Sequence, residues 1–116
     1  TGGARPGSDA AKFLAMGASS VVYGVAAAMA MGGVIDVNSM SYQSDRTIEE
    51  RALGLQALLK ANAGEASMMA RCTGKTRLHN LEPEDLRSVT LSATETTRIP
   101  LVGHQGDDAD YSSTSV

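Results

Sequence analysis

The sequence predicts an α/β fold. It reads as the C-terminal segment of a TIM-type (β/α)8 barrel, its last two β/α units plus the closing helices, completed by another chain. Three observations predict it. Thr1-Gly-Gly-Ala-Arg-Pro-Gly-Ser8 is a glycine-rich turn placed to open a helix. Ser19-Ser-Val-Val-Tyr23 is a short β-branched and aromatic run that ends in a second glycine, Gly24. Glycine turn, helix, strand and glycine turn is the order in which such barrels hold a ligand phosphate after strands 7 and 8. The third observation is length. The chain has 116 residues, enough to bury a core of its own, whereas a complete barrel takes roughly 200–250.

Residues 1–33 are expected to form the two β/α units with their phosphate-binding loops. Pro6 and Gly7 break the chain, and Ser8 or Asp9 supplies an N-cap. Ala10, Phe13 and Leu14 share one helical face, and Gly17 stops the helix after Met16. Ser20-Val-Val-Tyr23 suits a short buried parallel strand. Val25 to Met31 is an alanine-rich helical run, ended by Gly32-Gly33, whose small side chains permit close approach to its neighbours.

Residues 34–46 show no clear period and carry Asp36, Asn38, Ser39, Ser41 and Ser44, so a loop with room for a short strand is expected. Residues 47–102 supply the closing helices. Thr47-Ile-Glu-Glu50 fits a capping box, with Asp45 as the other cap candidate. Apolar or small residues recur at Ile48, Ala52, Leu55, Leu59, Ala63, Ala66, Met69 and Ala70, one face of a long helix. Gly74 ends it near Cys72, with Arg71 and Lys75 at the negative end of its dipole. Gly54 and Gly64 lie inside it, and each costs about 1 kcal/mol against alanine, so a bend or close packing is expected at either. Leu81-Glu-Pro-Glu-Asp-Leu86 signals a final helix, with Pro83 in its first turn and Leu86, Val89 and Ala93 as its buried stripe. Residues 103–116 hold almost nothing to bury and read as a disordered tail.

Composition excludes several functions. The net charge of −3 leaves no basic footprint for nucleic acid. The longest apolar stretch, Val21 to Ile35, is broken by Gly and Tyr and falls short of a membrane span of about 20 residues. Cys72 is the one cysteine, so no internal disulfide forms and a reducing, cytoplasmic location is expected. It shows no metal-ligand spacing with His79 and His104, so no metal is expected. The start at Thr1, just ahead of a phosphate-binding turn and with no signal-peptide pattern, reads as a processed or split protein. Self-cleavage with the Thr1 hydroxyl as nucleophile is one route to it.

Longer motifs carry a family resemblance. Gly2-Gly-Ala-Arg-Pro-Gly-Ser-Asp-Ala-Ala-Lys12, with Leu14-Ala-Met-Gly-Ala-Ser-Ser-Val-Val-Tyr-Gly-Val-Ala-Ala-Ala-Met-Ala-Met-Gly32, resembles the FMN-phosphate segment of the glutamate synthase flavin barrel. Lys60-Ala-Asn-Ala-Gly-Glu-Ala-Ser-Met-Met-Ala-Arg-Cys-Thr-Gly-Lys75 and Leu78-His-Asn-Leu-Glu-Pro-Glu-Asp-Leu-Arg87 resemble the helices that close that domain. The resemblance spans about residues 1–102. It implies an FMN held by its phosphate, with Gly2, Gly3, Ala4 and Arg5 in a first loop and Tyr23, Gly24 and Val25 in a second as the cofactor-binding residues. It implies a flavin-dependent oxidoreductase or transferase acting on glutamate or related amino or 2-oxo acids and amines. The partner would be a polypeptide supplying strands 1 to 6 and most of the catalytic residues, which remain unassigned.

Two departures stand out. The family binds an iron–sulfur cluster through closely spaced cysteines after the second turn. The matching Gly32-Gly-Val-Ile-Asp-Val-Asn-Ser-Met-Ser-Tyr-Gln43 has none, so no cluster is expected on this chain. Methylamine–glutamate methyltransferase, similar to glutamate synthase in this domain, is one relative whose reaction would suit. Val25 stands where the family tends to carry a hydroxyl, which leaves a backbone contact possible but no side-chain one.

Plainer readings stand beside these. Arg5 reads equally as a solvated surface charge, Asp9 as a helix cap, His79 as a structural hydrogen-bonding group and Cys72 as a small core residue. Met29, Met31, Met68 and Met69 read as adaptable packing. The rival to an enzyme piece is a non-catalytic helical interaction subunit derived from such a barrel.

Overall fold

The computed structural model describes residues 2–42 and 45–104. Thr1, Gln43, Ser44 and nearly all of the expected tail lie outside them. The elements run α1 (Gly7–Ala15), α2 (Val25–Ala30), β1 (Gly33–Asp36), β2 (Ser39–Tyr42), α3 (Ile48–Cys72), two short 3-10 turns at Leu78–Asn80 and Pro83–Asp85, and α4 (Leu91–Thr97).

The long helix α3 organises the rest. Thr47 Oγ1 accepts from the Glu50 amide at 3.2 Å, and the Thr47 amide donates to Glu50 Oε2 at 2.8 Å, the capping box expected from sequence. Gly74, at φ +80, ends the helix where expected. The Lys75 amide reaches back to the Ala70 carbonyl at 2.9 Å and the Gly74 amide to Arg71 at 3.0 Å. Helices α1 and α2 both lie on α3.

Both contacts run through glycine. A Cβ on Gly7 would collide with the Asn62 carbonyl and press on the Ala66 amide, so the start of α1 touches α3 backbone to backbone. A Cβ on Gly54 would collide with the Ala30 carbonyl of α2. Close packing at Gly54 is thus as expected, while Gly64 faces open space.

The core is shallow. Ala11, Ala15, Ala66, Ala70 and Leu81 form its buried cluster, with Leu78 and Leu86 packed against it. Among the described residues seven of the nine buried apolar side chains are alanine. Methyl groups bury little area each, so this interface is close but thin. Large apolar side chains instead remain exposed, among them Val25, Met29, Ile48, Leu53 and Leu59.

The structure departs from the expected elements in five places. Residues 19–23 form no strand; they run outside regular structure, with Val22 71% exposed. A parallel strand needs neighbours for its ladder, and among the described residues none pairs with this segment. The stretch 34–46, read mainly as loop, instead holds, with Gly33 before it, the antiparallel hairpin β1–β2, which pairs Gly33 with Tyr42 and Asp36 with Ser39. Its two-residue connection, Val37-Asn38, is the length that suits a tight hairpin. Helix α1 starts at Gly7, ahead of the expected Ser8 or Asp9 cap, because its first amide is taken up from α3.

The expected last helix is split. Pro83–Asp85 makes one 3-10 turn, residues 86–90 run on without helix, and α4 starts only at Leu91, capped by Thr90 Oγ1 on the Ala93 amide at 3.2 Å. Ser88 bonds both ways with the returning chain, its amide to Pro100 O and its carbonyl from the Val102 amide, each at 2.8 Å. That pairing turns Val89 outward rather than into a stripe. Cys72 is exposed, not a core residue. No helix among the described residues is long and apolar enough to cross a membrane.

Candidate functional site

The first loop is a glycine turn fastened from behind. Gly3 sits at φ +83, a left-handed conformation that favours glycine. A Cβ on Gly2 or Gly3 would meet nothing within 4 Å, so the space beside both is open. Ala4 is buried and anchors the turn, while the Arg5 side chain is exposed.

Beyond Ala4 the backbone is bound to its surroundings at each step. The Arg5 amide donates to Asp9 Oδ2 at 3.2 Å. The Arg5 carbonyl accepts from Asn62 Nδ2 at 3.0 Å. The Pro6 carbonyl accepts from the Tyr23 hydroxyl at 3.3 Å. The Gly7 amide donates to Glu65 Oε2 at 2.8 Å. Asp9 therefore does act at the start of α1, though from inside its first turn, reaching back to Arg5, rather than from the cap position.

The second loop is tied to the first through Tyr23. Partial burial, then the negative charge of Asp9, push the Tyr23 phenol above its ordinary value, against a hydrogen bond with Asn62 that lowers it. The phenol is consequently a proton donor at neutral pH, as its bond to Pro6 requires. Gly24 is exposed, and a Cβ there would meet nothing within 4 Å. The first intrahelical bond of α2 runs from the Ala28 amide to the Gly24 carbonyl at 3.0 Å. The amides ahead of Ala28 therefore have no acceptor within the helix. Val25 is exposed beside them. An open groove of about 320 Å³ separates the 19–23 segment from α1 and α3, bordered by Leu14, Val21, Leu59 and His79.

The seven residues expected to bind a cofactor thus lie in two exposed loops linked by one side chain. They offer glycine backbone with open approach and an exposed guanidinium close by, groups that can pair with an anion. Sequence reasoning missed Asn62 and Glu65, which reach the first loop from α3. The one hint in the sequence is that Asn62 interrupts an apolar stripe; that it is only 7% exposed, and so needs partners, follows from α1 packing on α3. Among the described residues no group of three or more His, Cys, Asp or Glu side chains is arranged to hold a metal ion.

The chain is 33% identical over 132 residues to the glutamate synthase large subunit-like protein of Rhizobium meliloti (strain 1021). The match takes in 89% of this chain and 30% of that protein, so the chain spans less than a third of its relative's length. No family model matches the chain, and no solved structure gives a significant match. The likeness points to a glutamate synthase-related family and to relatedness with an enzyme.

Proposed function

We propose that this chain is the FMN-phosphate-anchoring part of a glutamate synthase-like flavin-dependent enzyme. In this reading residues 1–33 are the last two β/α units of a (β/α)8 barrel, and a further polypeptide supplies the other strands. The observation that carries the reading is the open Gly3 turn, held rigidly from α3 and tied by Tyr23 to the open Gly24 loop. The relative named above supports it at the level of the family, because the match takes in 89% of this chain.

The donor set fits a phosphate. Gly3 and Ala4 in the first loop and Gly24 and Val25 in the second would present main-chain N–H groups, with Gly2 allowing close approach and the Arg5 guanidinium adding a charge-assisted bond. FMN, when bound, supplies the redox chemistry. The residues of this chain bind the phosphate and so orient the group. The substrate, glutamate or a related amino or 2-oxo acid or amine, would be contacted by the rest of the barrel. The exposed apolar residues Val22, Val25 and Met29 belong to the surface such a polypeptide would cover, since large apolar patches mark interaction sites.

Native mass spectrometry of the purified protein tests this directly. A second polypeptide together with one FMN, released as a yellow chromophore on denaturation, is the expected outcome. A colourless complex would instead favour a helical interaction subunit that has lost its flavin, and a released sugar or nucleotide phosphate would change the ligand class.

A further inference from the structure

We infer that Glu65 is a positioning residue for the phosphate loop: its carboxylate occupies the first amide of α1, that of Gly7, and sets a negative charge at the helix start, directing the phosphate to the Gly3–Ala4 side of the turn. The inference rests on the FMN reading above and refines it.

The argument is an account of backbone groups. Pro6 has no N–H. The Arg5 amide is engaged by Asp9 and the Gly7 amide by Glu65. The Arg5 and Pro6 carbonyls are engaged by Asn62 and Tyr23. No amide from Arg5 to Gly7 is therefore left for an anion, and between Gly3 and Gly7 the donors that remain are those of Gly3 and Ala4. Arg5 contributes by its side chain alone.

Glu65 also acts through charge. It and Asp9 place two carboxylates behind the turn, at the positive end of the α1 dipole. There they neutralise the field that would otherwise draw an anion onto the helix axis. The Gly7 amide cannot relax outward, because Gly7 is buried and its Cα lies hard against the Asn62 carbonyl. Glu65 and Asn62 sit three positions apart on the same long helix, so they are neighbours on one face. The turn is held at a fixed height above α3.

Comparing FMN with riboflavin separates this role from general stability, because riboflavin lacks the phosphate. The assembled protein, with its partner polypeptide, is titrated with each flavin in the wild type, Glu65→Ala and Glu65→Gln. Glu65→Ala should lower FMN affinity at least about tenfold and leave riboflavin affinity unchanged, since an orphaned Gly7 amide loosens only the phosphate loop. Glu65→Gln keeps an oxygen acceptor for Gly7 and removes one like charge near the phosphate. It should bind FMN about threefold more tightly, again with riboflavin unchanged. An equal fall for both flavins in Glu65→Ala would mean a merely structural residue and overturn the inference. So would a Glu65→Gln variant that weakens FMN or leaves it unchanged, a result that stands even where Glu65→Ala fails to fold. A wild type with no preference for FMN over riboflavin would instead defeat the underlying flavin reading.

Discussion

The two ends of α3 meet different neighbours. Its C-terminal half carries α1 and the chain after Gly74, and there Ala66, Ala70 and Asn62 are buried. Among the described residues its N-terminal half meets α2 and, at Arg51, the hairpin, and there Ile48, Leu53 and Leu59 stay exposed. The hairpin itself leaves Val34, Ile35, Val37, Met40 and Tyr42 open, with the Arg51 guanidinium over the Tyr42 ring at 5.1 Å as a link to α3. An isolated two-stranded hairpin is marginal on its own. The difference teaches that the end holding the candidate site is built for precision at short range. Glycine and alanine bring backbones together there, and side-chain hydrogen bonds set the loop.

If that contrast is right, the largest effect comes from adding one methyl group at the tight end. Gly7→Ala should destabilise the protein by about 2–3 kcal/mol, because the new Cβ meets backbone, which cannot rotate away. The urea midpoint measures it, and an unchanged midpoint would mean that α1 does not sit against α3 as described. Gly54→Ala should cost less, about 1–2 kcal/mol, because its clash with Ala30 is offset in part by the roughly 1 kcal/mol that alanine gains in a helix interior.

How far the sequence foretold this depends on whether the cause was local. The start and end of α3 were readable because Thr47, Glu50 and Gly74 act within one turn of their own backbone. Gly17 ended α1 for the same reason: it lies at φ +105, and the Ala18 amide reaches back to Phe13 at 3.0 Å. The 19–23 segment stays outside regular structure: its β-branched residues report a preference for a sheet, but a strand needs partners that the described residues of this chain do not supply. The split at Leu86–Thr90 was missed because its cause is Ser88 pairing with residues eleven or more positions away. At the candidate site the glycines were evident as punctuation. Asn62 and Glu65 were not, since what they do depends on α3 lying beside a loop some 57 positions earlier.

Two substitutions sharpen the comparison along α3 without touching either interface. Thr47→Ala removes a hydroxyl that caps the exposed end and should cost about 1 kcal/mol. Gly64→Ala, with open space at the new methyl, should stabilise by about 0.5–1 kcal/mol. Thermal unfolding of the two variants should move the transition in opposite directions. A destabilised Gly64→Ala would place an unseen neighbour over that face.

The smallest expected effect lies where the chain leaves α3. Lys75 Nζ stands 3.2 Å from Glu82, 3.7 Å from Asp85 and 3.8 Å from Glu84, and so pins the Pro83–Asp85 turn to the helix end. A hydrogen bond with Glu84, then one with Lys75, holds the Glu82 carboxyl below its ordinary 4.5. A group lowered on folding contributes stability that is complete above its unfolded value and fades as pH falls through its folded one. The hydrogen bond to Glu82 raises Lys75 above its ordinary 10.5, so its share is complete below that pH and fades as pH rises through the raised value. Between these limits Lys75→Met should lose a small, nearly constant stability, because exposed ion pairs are worth little. Below pH 4.5 the gap between variant and wild type should close as Glu82 becomes protonated. Urea midpoints from pH 3 to pH 7 read the gap; one that stays constant to pH 3 would trace the loss to packing of the lysine stem against the turn rather than to its charge.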